Sequence, residues 1–395
     1  MRSRRRDAVE MTARAPEPLP QREVRRSRWS AVLRDLNPGV FAFVMATGIV
    51  STALRNDNLL AASDILLLIG VAGYIALIAT FGWRLLSWRR RLLADLVSPR
   101  GFAFLTFVAA SNVLASRLAA DGQRWPAAVL LAIGVLSWLV LGYGVPLGLI
   151  ADPRRHPTLS QVNGTWFIWV VGTESIAVAA ASLPPFGPVA AVVVFASVCW
   201  AIGLMLYLLL AALGLARLLT QPVRSAELIP PYWVFMGAAA ITVLAGARLL
   251  GLPDVARLLP HDVIAGVSMV LWSFCTWLIP LLLALGVWRH LVRRVSLRYE
   301  SGLWSMVFPH GMYGVASDQL GSRHRHAMAE RTGRRRGVGG VRRVGCRVRG
   351  HAGRGRRRVI GCSTGALWRR GPGSRAGWVG DGEVSTAERD ADVGE

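Results

Sequence analysis

The sequence predicts an all-α polytopic membrane protein. Three observations carry that reading. The 395-residue chain is 53% hydrophobic and only 17% charged, too apolar for an ordinary soluble domain of this length. Apolar segments of about 17 to 30 residues follow one another from Pro38 to Leu320, and each can cross a bilayer core of about 30 Å as a helix. The short alternating strands of a membrane β-barrel are missing from the pattern.

Nine segments are expected, at 38–54, 64–86, 101–119, 126–150, 164–182, 188–219, 231–250, 262–288 and 301–320. Even-numbered segments are rich in leucine, as in "DILLLIGVAGYIALIATFGWRLL". Odd-numbered ones open on Pro or Gly and then aromatics: "PGVFAF", "PRGFAF", "VNGTWFIW", "PPYWVF" and "SGLWSMVF". Phe41, Phe102, Trp166, Trp233 and Trp304 lie 61, 64, 67 and 71 residues apart. A near-constant period implies repeated units, here helical hairpins of one aromatic-led and one leucine-rich helix. Small residues on the odd helices would let them approach closely along an axis, with the even helices toward lipid.

The net charge is +23 and every basic residue is arginine. Ten arginines lie in residues 1–34 and eighteen after Gly321. With a cytoplasmic N-terminus, the four inner loops hold 13 arginines and the four outer loops 5, which satisfies the positive-inside rule. Residues 1–34 read as a disordered cytoplasmic arm. They lack the apolar core of a signal peptide, so the first segment is expected to stay as a membrane helix. The charge also allows a rival of another class: a membrane-anchored basic protein binding nucleic acid or anionic lipid through its arginine arms. The loop positions of the remaining arginines argue against nucleic acid as a partner.

No HExxH, phosphate loop, CxxC pair or nucleophile elbow occurs, so neither an enzyme nor a cofactor is expected. Cys199 and Cys275 fall in apolar segments and behave as small hydrophobes. The spacing of Cys346, His351 and Cys362 matches no standard zinc site, and no metal is expected.

Several chain stretches, in order, carry a family likeness: "LNPGVFAFVMATGIVSTAL", "VNGTWFIWVVGTESIAVAAASL", "YWVFMGAAAITVLAGARLL" and "LWSMVFPHGMYGVAS". Over residues 35–320 the chain resembles the tellurite-resistance/C4-dicarboxylate transporter family, which includes malic-acid transporters, sulfite efflux pumps and plant slow anion channels. The resemblance implies ten helices as five hairpins around a central pore of odd helices, nine of them recognisable here. It implies a homotrimer in the bacterial plasma (inner) membrane that carries small anions: malate and other C4-dicarboxylates, tellurite, sulfite or inorganic ions. It also implies a gating phenylalanine on the ninth helix. By motif this is Phe308 in "VFPHG", followed by Pro309, which kinks a helix, with Met306 and Gly311 beside it.

Other candidates come from residue chemistry. Anions need favourable potential without a trap, which helix termini and small hydroxyls can supply. Thr47, Ser111, Asn112 and Thr173 suit such a lining, although Ser and Thr also hydrogen-bond within helices. Glu174 sits mid-segment, where a carboxylate is expensive. It is either a site that couples proton to anion movement, as in a proton-coupled C4-dicarboxylate carrier, or a structural group. His310 can titrate near the gate or simply face a neighbouring helix. Arg248, Asp254 and Arg257 close the seventh segment as anion-gathering or merely solvated charges.

Residues 321–395 read as an Arg/Gly-rich disordered tail. It would emerge on the side that the positive-inside rule disfavours. A one-base shift of reading frame near Gly321 accounts for it. Arginine codons read one base later give Gly, Ala, Val, Asp or Glu, and Met328 followed by Ala329 must read as tryptophan. The tail then stands in place of a tenth helix.

Overall fold

The computed structural model describes residues 33–336, apart from 99, 152–158, 184–186, 223, 225–226, 256 and 297–298, and describes no side chain from 324 on. Nearly all of the expected N-terminal arm, and the tail beyond Arg336, lie outside the described residues. Nine long helices run through the described part: α1 Ala42–Asn56, α2 Leu60–Leu96, α3 Leu105–Ala120, α4 Arg124–Ala151, α5 Ile168–Ser182, α6 Val189–Thr220, α7 Val234–Leu249, α8 His261–Val287 and α9 Trp304–Arg336. Eight are long and apolar enough to cross a membrane. The ninth carries His310, Asp318 and a run of arginines and falls short of that apolarity.

Each odd helix begins with a 3₁₀ turn: Pro38–Phe41, Gly101–Phe104, Gly164–Phe167, Pro230–Trp233 and Ser301–Leu303. These are the aromatic-led openings of the sequence pattern. Proline starts two of them, where its missing N–H is no loss. Asn37 and Asn163 cap two, accepting from the N–H of Gly39 and Thr165, both at 2.9 Å. The tight turns after α1 and α3 place Asn58 (φ 62°) and Gly122 (φ 77°) in the left-handed region, which these residue types tolerate.

Two helices run past the expected ends. α2 continues through the arginines to Leu96, with a kink at Trp88. α9 continues past Leu320 to Arg336. Arginine is a good helix former, so the apolar pattern stops before the helix does.

The odd helices form a closed ring in the order α1–α3–α5–α7–α9 and back to α1, and each of α2, α4, α6 and α8 packs on the odd helix before it. Burial follows this plan. Of the most apolar stretch of α7, 94% is buried, against 11% for α2. Leu68, Leu86, Val140, Leu147 and Val270 stand exposed on even helices. Such surface suits lipid, not water. Among the described residues no even helix follows α9, and its outward stripe of Val307, His310, Gly314 and Asp318 is exposed.

Glycine lies at every seam of the ring. A Cβ on Gly48 would meet Val113 at 2.6 Å, one on Gly237 would meet Pro309 at 2.7 Å, and one on Gly311 would meet Ile49 at 2.8 Å. A Cβ on Gly172 would meet Leu105 in ordinary contact at 3.5 Å, whereas Gly164 lies against the Pro231 backbone with no room for a side chain. Together these cover all five contacts, and small residues are what allow helix backbones to approach.

Buried arginines fasten the hairpins. Arg84 on α2 donates to the carbonyls of Arg34 and Leu36 ahead of α1 and pairs with Asp95. Arg217 on α6 repeats the device, donating to Ser160 ahead of α5 and pairing with Glu227. Arg289, just after α8, donates to Leu228 ahead of α7. At the opposite end, fully buried Arg117 joins three helices through Ser51, Ser63, Asp64 and Asp121. Arg117→Ala should therefore lower stability by about 3 kcal/mol, read as a fall in the thermal midpoint in mild detergent, while exposed Arg91→Ala should shift it little.

Candidate functional site

Two cavities take residues from all five units of the ring. The first, about 150 Å³, opens toward the C-terminal ends of the odd helices. Its lining includes Ile49 and Thr52 from α1, Ser116 from α3, Ser175 from α5, Arg248 from α7 and Met312 from α9. The second, about 790 Å³, lies at the N-terminal ends. Asn37, Arg100, Asn163, Tyr232 and Glu300 line it, one from the approach to each odd helix. Five helix N-termini converge there, and their dipoles favour negative charge, while the carboxylates of Asp95, Glu227 and Glu300 in the same lining oppose it.

Helical register shows what separates the two. On α9 the lining residues Met312, Val315 and Gln319 share one face, and Phe308 continues that face one turn toward the N-terminus. The same step back on the other helices reaches Met45, Ala109, Val171 and Gly237. All five are buried, Phe308 at 1% exposure. The C-terminal cavity therefore ends on a layer of apolar groups from every helix of the ring. Pro309 packs on Gly237 of α7, and its missing N–H leaves the carbonyl of Ser305 without its usual partner.

The remaining sequence candidates are distributed differently. Asn112 lines the C-terminal cavity and donates to Ser175 at 2.9 Å. Thr47 donates to Phe43 at 3.0 Å and faces Gly70 of α2. Ser111 bonds Tyr74 of α2 at 2.7 Å, and Thr173 accepts from Trp138 of α4 at 2.8 Å. The hydroxyls of Ser111 and Thr173 hold odd helices to even ones, that of Thr47 bonds within its own helix, and none of the three lines either cavity. Glu174 is completely buried and points away from the axis, against Gly203 of α6, where a Cβ would strike its carboxyl group. The Thr242 hydroxyl of α7 lies beside its carboxyl group. His310 lies on the outward stripe, its Nδ1 2.7 Å from the Met306 carbonyl and its ring 4.6 Å from that of Trp233.

Sequence reasoning passed over Thr52, Arg55, Ser116, Ser175 and Gln319 as lining residues. The available signal was register: each is a polar residue of an odd helix, three or four residues beyond a buried small or apolar one.

A ring of five helices in a lipid-facing shell, with a cavity near each end, defines a polytopic helical membrane protein. The chain belongs to the voltage-dependent anion channel (SLAC1) family, whose model matches residues 35–333. It is 52% identical over 119 residues to the uncharacterized membrane protein Rv1735c of Mycobacterium tuberculosis. That stretch is 30% of this chain, which thus spans 60% of the relative's length. It is 26% identical over 304 residues to the uncharacterized transporter MJ0576 of Methanocaldococcus jannaschii, covering 73% of this chain and 84% of that one.

The geometry predicts a sharp contrast in thiol accessibility. A cysteine at Ser116 should react with a water-soluble thiol reagent in the membrane-reconstituted protein. One at Ser111, a turn away but fully buried against Tyr74, should be protected by at least about tenfold in rate.

Proposed function

We propose that this protein carries small anions across a bacterial plasma membrane along the axis of the five-helix ring, with Phe308 as the gate. The observation that carries the reading is the single face of α9 on which Phe308, Met312, Val315 and Gln319 succeed one another. Three of these line a cavity shared by all five odd helices, and the fourth lies buried at its end. Family membership supplies the class of cargo. Pro309 beside Gly237 gives α9 a local weakness in its hydrogen-bond ladder next to the gate.

Arginine distribution favours a cytoplasmic N-terminus, which makes the larger cavity the inner mouth and the smaller one the outer. A small outer cavity suits compact anions such as nitrate, chloride, sulfite, tellurite or a C4-dicarboxylate like malate. A homotrimer is the assembly that the family resemblance supports, each subunit with its own axis. Residues 321–395 occupy the place in the sequence where the family resemblance implies a tenth helix, and a shifted frame would explain their composition.

The channel reading is preferred to the proton-coupled carrier because Glu174 lies between α5 and α6, off the axis. In liposomes under an anion gradient, Phe308→Ala should raise flux at least about tenfold, about 1.4 kcal/mol off the barrier, and Glu174→Gln should leave flux and its pH profile close to wild type. Saturable flux that loses its pH dependence in Glu174→Gln would instead establish the carrier. Binding of nucleic acid or anionic lipid through the arginine arms, with no flux, would support the rival class.

A further inference from the structure

The C-terminal mouth poses an electrostatic problem for an anion. The last carbonyls of a helix are unpaired and carry partial negative charge. Four odd helices, α1, α3, α5 and α7, end near this cavity while α9 runs on to Arg336, and their C-termini repel an anion unless side chains reverse the potential. Three of these helices have an arginine in the last turn: Arg55 on α1, Arg117 on α3 and Arg248 on α7. Their situations differ.

Arg117 is buried and fully engaged by Ser51, Ser63 and two aspartates. Arg55 lines the cavity but pairs with Asp121 and donates to the Ala120 carbonyl at 2.7 Å. Arg248 lines the same cavity and has no hydrogen bond or ion pair among the described residues. Its Nε is shut off from solvent without an acceptor. Arg323 lies over Gly251, three residues on, and its Nε is likewise without an acceptor.

The rest of the lining offers little competition. The hydroxyls of Thr52, Ser116 and Ser175 already donate to the carbonyls of Gly48, Asn112 and Gly172 in their own helices. No carboxylate lines the cavity. The free donors there are the guanidinium of Arg248 and the amides of Asn56 and Gln319.

We infer that Arg248 is the anion-binding residue of this mouth, taking a small planar oxyanion, such as nitrate or a carboxylate, in its guanidinium fork. A planar fork matches two oxygens of one anion, whereas a lysine supplies only a point charge. The inference rests on the anion-path reading for its purpose, but its test does not need conduction.

The full-length chain carrying Ser116→Cys, reconstituted in liposomes, is labelled with anionic and with cationic methanethiosulfonate reagents. With Arg248 in place the anionic reagent should react about tenfold faster than the cationic one at low salt, and less so at high salt. Nitrate should slow labelling. Arg248→Gln should bring the rate ratio near one and abolish nitrate protection. Arg248→Lys should keep the charge preference and lose most of the nitrate protection. An unchanged ratio and protection in Arg248→Gln would overturn the assignment, as would full nitrate protection in Arg248→Lys. A protein that shows no flux at all but keeps the Arg248-dependent ratio would count against the channel and leave this site standing.

Discussion

The structure depends on the close approach of five helices around one axis. Four of the five seams leave no room for a Cβ at a glycine: Gly48, Gly164, Gly237 and Gly311. Within a membrane the hydrophobic effect does not drive helices together, since lipid is as apolar as leucine. Packing between small residues must do so. This explains why α7, rich in alanine and glycine, is almost wholly buried while leucine-rich α2 is almost wholly exposed. It also explains why the path is narrow. Helices packed this tightly leave room for a cavity only near their ends, and apolar side chains meet in the middle.

That constraint assigns the polar residues their work. Hydroxyls and carboxylates in the middle of the odd helices, such as Ser111, Thr173 and Glu174, are turned outward against even helices. Other mid-helix polar residues, Asn112 and Ser175, face the C-terminal cavity instead. The arginines divide in the same way. Arg84, Arg217 and Arg289 tie even helices to the loops that precede their partners, and Arg117 ties three helices at the far end. Arg248 is spared such a task. The two cavities also differ in setting: one lies at the positive ends of five helices, the other near the negative ends of four, with α9 passing by.

Much of the architecture was legible in the sequence because its causes are local. Aromatic openings at a near-constant spacing marked the five odd helices, and leucine content separated shell from ring. Hydropathy could not locate the ends of α2 and α9, because arginine-rich segments lose apolarity without losing helix propensity. The face of α9 that carries Phe308 and lines the C-terminal cavity was partly legible, because the motif around Phe308 and Pro309 coincides with helical register. The hydroxyl candidates were less so. Thr47, Ser111, Asn112 and Thr173 look alike in sequence, and only Asn112 lines a cavity. Which way a side chain faces in a helix apolar on all sides depends on the neighbours, which one chain's periodicity does not reveal. Arg248 was visible as a charge at a helix end, but its lack of any partner is a property of the folded ring.

The most direct test of the account is to plug the axis. In a Phe308→Ala background, a cysteine at Ser116 would be modified to completion with a bulky maleimide, and anion flux into liposomes compared before and after. The account predicts that flux falls to the level of empty liposomes, with no such loss in the Phe308→Ala protein that lacks the cysteine at Ser116. Undiminished flux through fully modified protein would mean that anions do not pass along the five-helix axis.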